Sequence, residues 1–575
     1  MLRTRDVTVV LFVLVTACGG EGERSDGVPA FSAPSTEEGS PQSDQPLVFT
    51  EVARESGLDF WHENGAFGDK WMPETMGSGG GFFDWDADGW PDVFLVNSSN
   101  WEGREREEAP PRSALFRNLG DGSFLDVSVE AGLGAPAYGM GVSFADFDAD
   151  GDQDVFFTAL GPNRLYENRE GTLVDVAGDL GLRGDPAGWS TASAWIDTNR
   201  DGWLDLVVCD YIQWSPETNL HHRFDGVTPG YSTPELYPGA TCRLFENREG
   251  SSFVDRTEIA GILNPDGKAM GIAVEDFDDN GWPDFVVAND VAPNSLFLNN
   301  GDGTFEDIAL RAGVAFDEAG RARAGMGIDI GELATGRLAI AIGNFSSEPV
   351  ALFSQIAPGL FQDRAGAAGL NRPTLLSLTF GLGYADFDRD GHLDLALANG
   401  HVEPTINSVE ADVTFPQRPS LYRADGEGRF LDASDDIGTD FTNEIVGRGL
   451  ASADYDRDGD MDLLITTNGG PPRLFRNDID ARDDAWLRVR LSGQSPNYQA
   501  VGAVVTLFAA DHHQRRMVRT GGSYLSQSET NPVFFAIPPG LNADSITVRW
   551  PTTGDTQVIT TGLIAGTTVS IRENN

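Results

Sequence analysis

One nine-residue pattern constrains this chain more than any other feature: D/N-x-D/N-x-D/N-G-x-x-D occurs six times between residues 84 and 462. Its oxygen-bearing positions one, three, five and nine are Asp84, Asp86, Asp88 and Asp92; Asp146, Asp148, Asp150 and Asp154; and Asp197, Asn199, Asp201 and Asp205. The other three copies supply Asp276, Asp278, Asn280 and Asp284; Asp386, Asp388, Asp390 and Asp394; and Asp454, Asp456, Asp458 and Asp462. Each copy follows a glycine-rich stretch such as Gly139-Met140-Gly141 and precedes an apolar run such as Val93 to Val96, which reads as a strand. Recurrence of one supersecondary unit is the mark of a repeat architecture.

Two further elements recur between the loops. An F-x-D/E strand appears at Phe49, Phe124, Phe253, Phe305, Phe361 and Phe430, with Leu173-Val-Asp175 as a seventh version. An L-F/Y-x-N element ends at Asn118, Asn168, Asn247, Asn299 and Asn477. Seven strand motifs against six loops point to a repeat that lost its ligands. It lies after Gly325-Met326-Gly327, where Glu332-Leu-Ala334-Thr-Gly336 replaces the acidic loop. Seven four-stranded units predict an all-β fold, a seven-bladed β-propeller over residues 47–478, because radial closure leaves few free edge strands. Phe49 would supply the fourth strand of the last blade, whose first three strands run from about Val446 to Asn477. The glycine-rich strands would line the crowded axis.

Four side-chain oxygens and a glycine at position six, which permits the sharp turn, suit a hard cation, with calcium first among the candidates. An EF-hand needs Glu at position twelve, where this chain has Leu95, Phe157, Val208, Val287, Leu397 and Ile465, so Asp at position nine must take that part. About six calcium sites are expected. The alternative, solvated acidic turns without metal, leaves four carboxylates crowded together at a cost in repulsion.

The loops resemble the calcium-binding repeats of FG-GAP/VCBS proteins, which implies a cation that braces the turn between the first two strands of a blade and takes no part in catalysis. Beyond the loops the acidic excess stops, with eight acidic and eight basic residues from 480 to 575. Asn497-Tyr-Gln-Ala500-Val501-Gly502-Ala503, Gly521-Gly522-Ser523-Tyr524-Leu525-Ser526-Gln527 and Val548-Arg549-Trp550-Pro551 resemble the ASPIC/UnbV domain. Together with the repeats they resemble the cartilage acidic protein family and its bacterial relatives, which implies a small C-terminal β-rich domain over 480–575. Within it Tyr524, Ser526 and Gln527 form a polar cluster, or else a Gly-Gly turn feeding a core strand.

At the other end, Arg3 and Arg5 precede a short apolar run, Val9 to Val15, that is too brief to span a membrane and reads as an export signal over 1–17. Val15-Thr-Ala-Cys18 resembles a bacterial lipobox, with Cys18 as the lipidation site. Ordinary cleavage after Ala17 is the alternative. Residues 18–46, rich in Gly, Ser, Pro and acidic side chains, read as a tether. The expected location is the outer membrane or cell surface, or the periplasm. The formal charge of −49 argues against nucleic acid as a partner.

Cys209 and Cys242 flank an insertion, 210–241, and form either a disulfide or two buried thiols. A second excursion runs from His401 to Pro419. None of the seven histidines shows zinc-type spacing in the sequence. Two functions remain. The first is an exported, lipid-anchored binding or adhesion module for a protein or glycan, with no catalytic residue. The second is an extracytoplasmic polysaccharide hydrolase or lyase at the propeller mouth, for which His221, His222 and Arg223 beside Asp225 are the sole grouping. Convergence of the insertion with His401 would favour the enzyme.

Overall fold

A computed structural model describes residues 47–574 apart from 105–109, 135, 224–228, 480–484 and 538–539. The signal segment, Cys18, the tether and Asp225 therefore lie outside the described residues. Among the described residues the repeats form seven four-stranded antiparallel sheets, each in the order first, second, third, fourth strand. Sheet one is Gly80–Phe83, Asp92–Leu95, Ala114–Asn118 and Phe124–Asp126. The first strands of sheets two to six are Tyr138–Ala145, Ser190–Ile196, Ala269–Glu275, Gly325–Leu333 and Thr379–Ala385. Sheet seven begins with Gly447–Ala453 and is completed by Phe49–Glu51, with Phe49 opposite Asn477.

The burial pattern explains the composition of each strand. First strands such as Tyr138–Ala145 are buried throughout, which selects small and apolar residues on both faces. Fourth strands are half wet: Phe124 is buried, whereas Leu125 and Asp126 are exposed. The apolar side chains pack between neighbouring sheets. Phe83 and Phe94 meet Phe144 and Phe157 of sheet two, Phe49 and Phe475 meet Phe387 of sheet six, and Phe82 and Phe116 meet Tyr455 and Leu464 of sheet seven. Successive first strands lie against one another, and Gly80–Phe83 touches both Tyr138–Ala145 and Gly447–Ala453. The architecture is β-propeller-like. No helix among the described residues is long and apolar enough to cross a membrane.

The C-terminal residues build a separate core around Leu487, Val505, Phe535 and Trp550 between a four-stranded and a three-stranded sheet. This domain sits on the acidic loops. Arg488 pairs with Asp454 at 2.8 Å and Arg549 with Asp276 at 3.0 Å, Arg490 donates to the Gly89 carbonyl at 3.3 Å, and Gln499 accepts from the Asp146 amide at 3.1 Å.

One segment, 519–529, leaves the domain and runs among the first strands of all seven sheets. Ser526 Oγ accepts from the Gly80 amide, Leu525 O from Val142, Thr520 Oγ1 from Trp195, Ser523 O from Ile328 and Ser528 Oγ from Ser452. The Gly522 amide donates to Ile272 O, and the Tyr524 ring meets Phe380 at 4.9 Å. Tyr524, Ser526 and Gln527 are thus buried among the first strands of the repeats and lie in no strand of their own domain. The glycines opposite them follow from this contact: a Cβ on Gly79 would run into the Leu525 carbonyl, and one on Gly81 into that of Gln527.

Candidate metal centres at the acidic loops

Each acidic loop is a tight turn between the first and second strands of its sheet. Position six has a left-handed backbone, as at Gly151 with φ of 106°, where a side chain would be strained. The amide of that glycine donates to the carboxylate at position one, for example Gly151 to Asp146 at 3.1 Å and Gly391 to Asp386 at 2.9 Å. Position five caps the turn through the amide two residues on, as Asp88 does for Trp90.

Position nine is fully buried and holds the loop to the sheet with both oxygens. In sheet one, Asp92 Oδ2 accepts from the Trp85 amide at 2.8 Å and Oδ1 from the Asn118 amide at 2.7 Å. The other five loops repeat this pair through Asp154, Asp205, Asp284, Asp394 and Asp462. Burial pushes the carboxyls of Asp92, Asp205 and Asp284 up to about 8, and those of Asp154, Asp394 and Asp462 well above the carboxylate range. At Asp146 and Asp197 burial, reinforced by neighbouring carboxylates, brings the carboxyl up to about 7.

The asparagine of the third strand, which the sequence shows only as a strand motif, joins each loop to the next sheet. Asn118 Nδ2 donates to Tyr455 O in the loop of sheet seven, Asn168 to Trp85 O, Asn247 to Phe147 O, Asn299 to Thr198 O and Asn477 to Phe387 O. Every acceptor is the carbonyl at position two of the preceding loop. Sheets five and six lack the asparagine. Gln355 stands opposite Phe361 as Asn118 stands opposite Phe124, and its amide reaches Phe277 O at 2.9 Å. In sheet six the position is Ala424, and the sheet before it is the one whose acidic loop is missing, so there is no loop carbonyl to reach.

The donor set fits a hard cation. In five loops the carboxylates at positions one, three and nine lie within 4.8 Å of one another: Asp84, Asp86, Asp92; Asp146, Asp148, Asp154; Asp276, Asp278, Asp284; Asp386, Asp388, Asp394; and Asp454, Asp456, Asp462. The loop of sheet three has Asn199 at position three. At position one, Oδ1 of Asp146, Asp197, Asp276 and Asp454 is buried without a hydrogen-bond partner, although Oδ2 of each is engaged. A buried carboxylate oxygen left unpaired is costly, and a cation removes that cost. Position five, which is Asp88, Asp150, Asp390 and Asp458 in four of these five loops, is not among the carboxylates of the triads.

The family comparisons fall on these loops. FG-GAP-like repeats match at residues 84–157, 146–208, 276–331 and 386–465, and the ASPIC and UnbV domain matches at 493–575. The chain is an FG-GAP-repeat protein with an ASPIC/UnbV domain. All six acidic loops lie inside the FG-GAP matches, and the turn of sheet five, 332–337, lies outside them. Cartilage acidic protein 1 of Mus musculus is 27% identical over 233 residues, covering 34% of this chain and 35% of the mouse protein. Its Xenopus tropicalis counterpart is 26% identical over 451 residues, covering 72% of this chain and 61% of the frog protein. The chain thus matches about a third of the mouse protein's length. Among solved structures, an Agrocybe aegerita lectin that recognises non-reducing terminal N-acetylglucosamine aligns at 14% identity and a TM-score of 0.39, covering 64% of this chain and 87% of the lectin.

Away from the FG-GAP loops, Cys209 and Cys242 are joined in a disulfide that closes the insertion at its base. The insertion does meet the His401 excursion: the Tyr231 amide donates to Glu403 at 3.4 Å and its hydroxyl to Glu74 at 3.1 Å, while Lys70 pairs with Glu403 at 2.9 Å. Burial pushes the Glu74 carboxyl up to about 7. Arg448 is wholly buried nearby, donates to the carbonyls of Thr75, Gly400, His401 and Gly447, and lies 4.0 Å from the Phe380 ring centroid. Glu74, Glu403 and Arg448 belong to no repeat motif, and only the fold brings them together. His222 and Arg223 lie in the insertion's own short hairpin.

Proposed function

We propose that this chain is an exported, lipid-anchored binding module: a closed seven-bladed β-propeller, braced by calcium at six loops, that holds a protein or glycan partner. The observation that carries the calcium reading is the buried, unpartnered position-one oxygen in four loops, which in three of them, at Asp146, Asp276 and Asp454, belongs to a cluster of three carboxylates. Closure is supported by the contacts of Gly80–Phe83 with both flanking first strands and by the bond from Asn118 to Tyr455 O. The ligand set is the twenty-four positions named above. Cys18 would carry the lipid and 18–46 the tether.

The C-terminal domain covers the loop face, so the partner surface lies on the opposite one. There a cavity of about 470 Å³ is lined by Asp185, Asp210, Gln213, Trp214 and Arg243, beside the disulfide-bound insertion. Planar polar side chains around an indole suit hydroxyl-bearing ligands. Calcium titration into EDTA-stripped protein, with melts in both states, tests the reading. About six equivalents and a large rise in melting temperature are expected. No binding, or one equivalent that leaves stability unchanged, refutes the six-site account.

The second reading is a polysaccharide hydrolase or lyase. It is favoured by the convergence of Tyr231, Glu74 and Glu403, two carboxylates in unlike surroundings. It ranks second because both glutamates are only 1% exposed and the 470 Å³ cavity is lined by other residues. Unchanged turnover of an acidic polysaccharide by Glu403→Gln would remove it.

A further inference from the structure

Histidines gather beside the repeat that lost its acidic loop. Three of the chain's seven, His392, His512 and His513, line one cavity of about 150 Å³ together with Glu332 and Asp511. They arrive from three directions. Glu332 is the penultimate residue of the first strand of sheet five, at the shortened turn, His392 is position seven of the loop in sheet six, and His512 and His513 follow a tight turn of the C-terminal domain in which Ala509 pairs with His512. The ring nitrogen Nε2 of His513 already stands 3.5 Å from Glu332 Oε1. The remaining cation in the lining, Arg516, donates to the Arg515 carbonyl at 3.0 Å.

The donor chemistry differs from that of the six acidic loops. Oxygen-only cages suit calcium, whereas imidazoles mixed with a carboxylate suit borderline cations such as Zn²⁺, Cu²⁺ and Ni²⁺. His512 and His513 are solvent-exposed, so their rings turn between staggered rotamers at little cost as ligands close on an ion. Sequence spacing does not show this site, because its histidines lie about 120 residues apart in two domains and share one cavity only when the C-terminal domain covers the loop face.

We propose that His392, His512 and His513, with Glu332 or Asp511, form a binding site for one borderline divalent cation, set in the gap that the missing calcium loop leaves. The site joins the C-terminal domain to sheets five and six. It is independent of the calcium reading, since three of its ligands are imidazoles and its test is run with calcium in excess.

The test is a titration of Cu²⁺ into full-length, calcium-saturated protein, followed by electron paramagnetic resonance. One tight equivalent with nitrogen hyperfine structure is expected. The double variant His512→Ala/His513→Ala should weaken that equivalent at least tenfold and leave the calcium stoichiometry unchanged. The control His221→Ala/His222→Ala should leave it as in the parent protein. Absence of a tight equivalent, a signal without nitrogen splitting, or loss of the signal in the His221/His222 control instead would overturn the site. Failure of the separate calcium titration would leave this result standing.

Discussion

At Asn118 one side chain does two jobs. Its Nδ2 bridges the Pro91 carbonyl of its own loop and the Tyr455 carbonyl of sheet seven, at 3.1 and 2.8 Å, and its Oδ1 accepts from Gly120. Truncation leaves buried carbonyls unpaired, so Asn118→Ala should cost about 2 kcal/mol, measured by urea denaturation. Gln355→Ala removes a single longer-reaching bond and should cost about 1 kcal/mol. Equal, negligible losses in both would show that these contacts do not tie the sheets together. The motif L-F/Y-x-N is legible in the sequence as a strand, but the partner of its asparagine is not, because donor and acceptor are 337 residues apart. Ala424 shows the rule by exception: the asparagine is gone from the sheet that follows the lost loop, while the backbone amide there still donates to Asp394.

In the acidic loop, burial sets the charge state of the carboxyls. Asp92, Asp205 and Asp284 have carboxyls pushed up to about 8 by burial, and Asp146 and Asp197 up to about 7. A group whose folded pKa is raised contributes stability that is full below its unfolded value, near 4, and is lost as pH rises through the folded one. The cation-free protein should therefore melt lower at pH 8 than at pH 6. With calcium the order changes, because ligands must be ionised to bind: the gain in melting temperature on adding calcium should be larger at pH 8 than at pH 6. Calorimetric melts in EDTA and in calcium at both pH values measure this, and a calcium gain independent of pH would contradict it. Ligand types and their spacing are readable from the sequence. The division of labour among them is not, since position nine proves to be an anchor with both oxygens on backbone amides.

Across the whole molecule, the C-terminal domain and the repeats are one mechanical unit. Asp276 and Asp454 each give Oδ2 to an arginine of that domain and keep Oδ1 unpartnered, so one carboxylate orientation makes the docking contact and leaves an oxygen for a cation. Repulsion in cation-free loops should loosen the surface on which the domain sits. Amide hydrogen exchange across 519–529 should accordingly be slow in calcium and faster by tenfold or more after chelation. Unchanged protection there, with calcium bound and released at the loops, would separate the two. The sequence by itself determined the local chemistry: four strands to a repeat, where they turn, which six turns carry the acidic motif and which repeat lost it. These follow from near-neighbour spacing, which repeats state plainly. Only the tertiary structure decided what lies among the first strands, which sheet each asparagine reaches, that Tyr231 meets Glu403, and that His392, His512 and His513 line one cavity. Those contacts join residues far apart in the chain, each with no motif of its own, and they exist because sheet stacking and domain docking bring separate surfaces together.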